Sequence, residues 1–289
     1  MSYLDRINDC KKFKKSNYIP FFYNNTQIGQ IHLKILKHLH QFYKILSINS
    51  ERIDLKAPLD TFKGRTSTMA QITLVLKNNK LIKGWRNEAC PVKTSFTSPT
   101  LFEIERAAAP LFGIKGYGVH LNGYIKKNNQ IYLWVGKRSL LKQNGPGKLD
   151  QIVAGGQPTQ LTIKENLIKE CAEEANISRA LVASAKSVGS ISYLTERKEG
   201  LRDDEIFCFD IKLPNDFKPI NTDGEVDGFF LWPLEKISQI IKRTENFKFN
   251  SALVVVDFLI RHGFISSNQK NYNNIVIGLN RKNTLIKGF

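Results

Sequence analysis

The sequence predicts an α/β fold: an α/β/α sandwich on a mixed sheet over residues 111–265, preceded by a smaller α+β unit. Three observations carry it. With 42% hydrophobic and 24% charged residues over 289 positions, the chain has a globular composition and the length for a sizeable core. Strand-like runs at 117–125 and 131–139, and again at 187–194 and 205–213, flank one amphipathic segment at 161–176. The character of the chain changes at Pro110, dividing it into an α+β unit (residues 1–110) and a second domain (residues 111–289).

In chain order, residues 19–35 hold two strand-like runs around Asn24-Asn25, and 70–86 read as two more strands joined at Lys77–Lys80. Ser98 as an N-cap, with Pro99 at the first helical position, predicts a helix through Ala109 that Pro110 stops. YGVHLNGYI (117–125), KKNNQ and IYLWVGKRS (131–139) read as paired strands, with Asn122-Gly123 as an alternative turn. Gly145-Pro146-Gly147 turns the chain into LDQIV and Ala154-Gly155-Gly156. From Leu161 to Asn176 a helix places Leu167, Ile168, Cys171, Ala172 and Ala175 on one arc and Glu170, Glu173 and Glu174 on another. Asn176 suits a left-handed stop. A turn at Asp223-Gly224 precedes EVDGFFLW, and NSALVVVDFLIRHG, with a capping residue before it and Gly263 after it, reads as a buried helix.

The formal charge of +17 is unevenly spread: +10 over 1–110, zero over 111–235 and +7 over 236–289. KKFKK (11–15) is the one true cluster, and no RNP, zinc-finger or helix-turn-helix signature accompanies it. A solvated basic surface is expected and a nucleic-acid partner is not. The window LVVVDFLI (253–260) is broken by Asp257 and falls short of the ~20 apolar residues a bilayer span needs, so no membrane span is expected. The amino terminus has charges without an apolar stretch, so a cytoplasmic chain without a secretory signal is expected. Cys10, Cys90, Cys171 and Cys208 lack zinc spacing and read as reduced thiols. His38 and His40 fall on different helix faces, and His120 reads as a strand histidine satisfied by the core. Trp85, Tyr117 and Tyr124 read as packing aromatics.

Carboxylates at i, i+3 and i+4 on one exposed face repel by a few tenths of a kcal/mol per pair. A hard cation removes that cost, and Mg²⁺ is usually held by one or two carboxylates plus substrate phosphates. An isolated ExxEE is more simply a solvated acidic face. The glycine-rich loop before this one favours the metal reading, which makes Glu170, Glu173 and Glu174 candidate ligands and Gly155 and Gly156 candidate substrate contacts.

Loop and helix together resemble the signature of the Nudix hydrolase family. Its second half stands as Lys169-Glu170-Cys171-Ala172-Glu173-Glu174-Ala175-Asn176-Ile177 after Gly155-Gly156. Counted from Gly156 the spacing is one residue short, Leu161 or Thr162 replaces the loop glutamate, Lys169 stands for Arg, and Asn176 for Gly. The runs LFGIKGYGVHLNGYI, GPGKLDQIVAGG, IKECAEEANIS, DGEVDGFFLW and FNSALVVVDFLIRHGFI, with WRNE at 85–88, resemble the Nudix subfamily related to thiamine pyrophosphokinase, without the kinase domain. The resemblance implies a Mg²⁺-dependent pyrophosphohydrolase, with Mn²⁺ as a substitute, that cuts a small-molecule organic diphosphate. Its most specific form is an oxidised or damaged thiamine diphosphate analogue cut to the monophosphate. It further implies that Arg138 touches phosphate and that Glu225 is an extra ligand or base, against an ordinary turn carboxylate. The basic amino-terminal segment would shape the pocket entrance and attract an anionic small molecule. Two competing readings are a catalytically weakened module that binds a nucleotide or RNA, and an isomerase of diphosphate esters, since Ala154 stands where many hydrolases carry proline.

Overall fold

In the computed structural model, which describes residues 2–56 and 61–286, the chain opens with helix α1 (Tyr3–Asn8), where Ser2 and Asp5 form a reciprocal capping box. Strands β1 (Tyr18–Tyr23) and β2 (Thr26–His32) turn at Asn24-Asn25, both at positive φ, as the sequence indicates. A short helix α2 (Leu36–Leu39) leads to β3 (Leu46–Ile48) and β4 (Ile53–Leu55), and the four strands form one sheet in the order β2-β1-β4-β3. Helix α3 (Phe62–Asn78) and the antiparallel pair β5 (Ala89–Val92) and β6 (Phe102–Glu105) complete this part.

Two sequence expectations fail here. Residues 70–86 are not a strand pair, because Met69, Ile72, Thr73 and Leu76 are buried at helical spacing and Thr61 caps the helix by accepting the Gly64 N–H. The apolar stripe overrides the β-propensity of Ile72, Thr73 and Val75. Residues 98–109 are not a helix either. Phe102 and Ile104 are buried while Glu103 and Glu105 are half-buried, the period of a strand, and Pro110 sits inside a 3₁₀ turn at Ala109–Phe112.

The paired strands at 117–125 and 131–139, the acidic helix, the strands at 187–194 and 205–213 and the buried helix near 250–263 agree with the sequence. β7 (Lys115–Lys127) and β8 (Gln130–Arg138) form a hairpin whose turn is Asn128-Asn129, so Asn122-Gly123 stays inside β7. β9 (Leu149–Gln151), β10 (Val153–Gly156), α4 (Ile163–Ala175) and the short α5 (Arg179–Val182) follow. Then come β11 (Lys186–Arg197), β12 (Gly200–Lys212), β13 (Val226–Pro233), α6 (Leu234–Arg243), α7 (Phe249–Arg261), α8 (Tyr272–Gly278) and β14 (Arg281–Lys282). No side chain caps α7, contrary to expectation. The sheet order is β13-β8-β7-β12-β11-β14, with β10 paired to β7 and β9 to β8. β7 and β12 run parallel and the other pairs antiparallel, so the sheet is mixed.

Alternation along the strands splits the core. On β12, Phe207 and Phe209 pack with Leu167, Cys171 and Ala175 of α4, while Ile206 and Cys208 pack with α6 and α7 on the other face. This is an α/β/α sandwich. A separate apolar cluster, from Ile19 to Ile114, holds the first sheet, α3 and the β5–β6 pair together. Helix α1 is the exception in that region: Tyr3, Ile7 and Cys10 belong to the core beneath α6 and α7.

Candidate active site

The acidic helix is positioned at both ends. Thr162 accepts the Glu165 N–H while Glu165 accepts the Thr162 N–H, and Asn176 closes the C-terminus at φ 51°. The three glutamates do not share one solvated face as expected. Glu174 turns inward, buried, and accepts the Ala154 N–H at 2.7 Å. Glu170 is largely buried, and Glu173 is half-exposed and paired with Lys169 at 2.5 Å. At 100° per residue, positions 170 and 174 lie over β10, which turns a predicted surface into a wall of the site.

β10 brings its glycines against this wall. A Cβ on Gly155 would overlap the Glu170 carboxyl, and one on Gly156 would overlap the Arg106 guanidinium, so a side chain at either position would displace a charged group of the site. Burial raises the Glu170 pKa above the ordinary carboxylate value, and the charges of Glu173 and Glu225 add to the rise. Burial together with the Glu170 charge holds Glu174 well above that value. Glu225, ahead of β13, pairs with Lys142, and its charge bears on both Glu170 and Glu174. Among the described residues, no group of three or more His, Cys, Asp or Glu side chains is placed to hold a metal ion without further ligands.

Arg138 does not fit the phosphate role the resemblance implies. It lies at the cavity wall, but Nη1 donates to Asp150 at 2.8 Å and Nε to the Asn144 carbonyl, with the side chain buried. Asp150 also meets Lys248 and accepts from the Ser251 hydroxyl, and the Lys248 and Arg138 cations hold its carboxyl well below the usual range in spite of burial. His120 donates from Nδ1 to Gln151 Oε1, whose own amide is fixed by the Ser251 carbonyl. Burial draws the His120 pKa down to about 4, against the pull of Asp150, and it brings Lys248 down to about 8. His120 is thus a satisfied core histidine that also touches the cavity. The four cysteines are free and buried, and Cys171 is inert against the apolar arc, its thiol pKa pushed up by burial. Tyr124 packs on Phe258, Tyr117 on Phe96, and Trp85 under Lys77.

Glu170, Glu173, Glu225, Arg138, His120 and Lys248 border one cavity of about 610 Å³, lined by residues from both parts of the chain. Gly116, Gly118 and His120 of β7 and Asp204 and Ile206 of β12 form its floor. Glu170, Glu173 and Glu225 stand at one end, and Arg86, Glu88, Pro91 and Arg106 form the roof. Sequence reasoning missed the roof residues and Lys142. The signal for two of them was the charged pair inside WRNE, but nothing local places it opposite the acidic helix.

Carboxylates on a helix against a glycine strand, with arginines facing them, make an enzyme site for phosphate anhydrides. The chain belongs to the Nudix hydrolase family. It is 43% identical over 281 residues to the chloroplastic Nudix hydrolase 20 of Arabidopsis thaliana, covering 93% of this chain and 75% of that one. It is 42% identical over 274 residues to the chloroplastic Nudix hydrolase 24 of the same plant, with the same coverage. Residues 2–116 match a family described as a domain of unknown function (DUF4743). Among solved structures, the NUDIX domain of Shewanella oneidensis NrtR, complexed with ADP ribose, is similar at 12% identity and a TM-score of 0.42, over 52% of this chain and 90% of that one.

Proposed function

We propose that this Nudix hydrolase cuts a thiamine diphosphate analogue, of the oxidised or damaged kind, to the monophosphate, with Mg²⁺ as its metal and Mn²⁺ as a substitute. The observation that carries the diphosphate reading is the single cavity with carboxylates at one end, arginines above and about 610 Å³ of space, enough for a diphosphate and a ring. The thiamine-type head group rests on the sequence resemblance alone. The donor set suits a hard divalent cation. The Glu170 charge raises the Glu174 pKa, and those of Glu173 and Glu225 raise that of Glu170, a like-charge conflict that such an ion relieves, and all the donors are oxygens. Mg²⁺ is usually held by one or two carboxylates, with water and substrate phosphate in the other positions.

Mg²⁺ bound there would neutralise the diphosphate charge and lower the pKa of its water. The chain's own groups do the rest. Ala154 N–H fixes Glu174, Gly155 admits Glu170, and Lys142 sets Glu225 at the rim, where it can take up a proton. The test is turnover on a panel of diphosphates with and without Mg²⁺ or Mn²⁺. Metal-dependent cleavage with thiamine-type diphosphates fastest is expected. Equal or better turnover of ADP-ribose or a nucleoside triphosphate overturns the substrate assignment.

A further inference from the structure

The roof of the cavity comes from the part of the chain whose family match carries no function. Arg86 lies there half-buried, and its guanidinium makes no hydrogen bond or ion pair among the described residues. Only its backbone is engaged, its N–H donating to Glu105 Oε1 at 3.0 Å. The same oxygen accepts the Ala107 N–H at 3.1 Å, which pins the chain on both sides of the site's second arginine. That second arginine, Arg106, lies across Gly156 in the space a side chain there would fill. Its backbone N–H donates to the Glu88 carbonyl at 2.8 Å, and Nη1 donates to the Glu88 carboxylate at 2.6 Å. Glu88 compensates one guanidinium, and there are two.

The other two arginines on this cavity are spoken for, Arg138 by Asp150 at 2.8 Å and Arg202 by Asp204 at 3.1 Å. Arg86 is therefore a cation drawn partly out of water, where burial and the charges of Arg106 and Arg202 outweigh the support of Glu88 and Glu225 and lower its pKa. Such a group is costly unless an anion returns its partners. A guanidinium fork fits phosphate oxygens two at a time, and Arg86 and Arg106 line the same cavity as the Gly155-Gly156 backbone.

We propose that Arg86 and Arg106 clamp a phosphate of the diphosphate substrate, so that the amino-terminal unit is a substrate-binding part of the enzyme. This deepens the reading above and rests on it for the diphosphate. The enclosed position between the two parts suits a small anion, whereas a polynucleotide needs an open basic stripe.

The experiment uses the full chain with Arg86→Met, Arg86→Lys and Arg106→Met. Inorganic pyrophosphate is titrated calorimetrically without divalent metal, and KM and kcat are measured with Mg²⁺ on the best diphosphate. Loss of one charge-assisted contact predicts about tenfold weaker pyrophosphate binding and an equal rise in KM for each Met variant, with kcat nearly unchanged. Arg86→Lys recovers part of both. Since the Arg86 guanidinium holds no hydrogen bond or ion pair among the described residues, Arg86→Met melts at or above the wild-type temperature, which separates binding from structure. Wild-type pyrophosphate affinity and KM in both Met variants overturn the clamp and leave the hydrolase reading standing. Lost pyrophosphate binding in the variants of a chain that hydrolyses no diphosphate keeps the clamp and overturns the hydrolase reading.

Discussion

Arg138 Nη1 donates to Asp150 Oδ2 across 2.8 Å, with both side chains buried under the N-terminus of α7. That pair joins β8 to β9, and through Ser251 and Lys248 to the helix. An arginine expected to touch phosphate is instead part of the scaffold. Replacing it by Met leaves Asp150 buried with fewer partners, and breaking such a pair costs about 3–5 kcal/mol. Denaturant unfolding should show that loss, while the KM of the folded fraction stays close to wild type. A large KM rise at unchanged stability would return Arg138 to the substrate.

The two glutamates of the ExxEE pair should respond differently to Gln. Glu173→Gln gives up the Lys169 pair, whereas Glu174→Gln removes a carboxyl that burial already disfavours and keeps an acceptor for Ala154. Metal-free melting should therefore rise for Glu174→Gln and change little for Glu173→Gln. Both should lose turnover, by about 10²–10³ for one electrostatic contact. Paired melting and turnover assays decide it: full activity in both variants removes the metal assignment.

Gly155→Ala places a methyl where the Glu170 carboxyl lies. The obstacle is the end of a flexible side chain, so the fold should survive with a melting temperature near wild type. Glu170 must swing away, and turnover should fall at least tenfold through the same electrostatic loss. Undiminished turnover would detach Glu170 from the chemistry.

His120 supplies a pH dependence. Its folded pKa, about 4, lies below the ordinary histidine value, so between roughly pH 6.5 and 4 the unfolded chain binds the extra proton. Stability is complete above pH 6.5 and falls as pH drops to 4, by a few kcal/mol in order of magnitude. Below that, Asp150 takes over, since its carboxyl is held below its usual pKa. His120→Gln, which cannot titrate, should flatten the first part of the melting-temperature profile and leave the second. A wild-type profile level from pH 6.5 to 4 would show that burial does not govern this histidine.

What was legible in the sequence was what is local. The α4 helix was readable from its apolar arc, with Asn176 as its stop, and the β7–β8 and β1–β2 hairpins from their Asn-Asn turns. Misreadings came where tertiary contact outweighs propensity. Val75 and Ile72 suggested a strand that the Met69–Leu76 stripe makes helical, and Ser98-Pro99 suggested a cap that the Phe102–Ile104 alternation overrides. The acidic helix was found, but not that Glu174 points inward, because the covering strand β10 lies 20 residues away along the chain. Arg86 and Arg106 were invisible as site residues for the same reason at greater range, since only the packed fold sets Arg106 against Gly156 and brings Arg86 to the same cavity.

Helix α1 has the widest consequence. Tyr3 bonds Ser238 of α6, Ile7 lies on Gly278 of α8, and the Cys10 thiol meets the Phe249 carbonyl of α7. The roof is therefore anchored to the sandwich from two directions, by α1 upstream and by the direct chain connection into β7 downstream. An arm held at one end can swing open, but one held at both must peel an apolar helix into water to do so. A fragment begun at residue 111 would carry an uncovered apolar trough where α1 belongs.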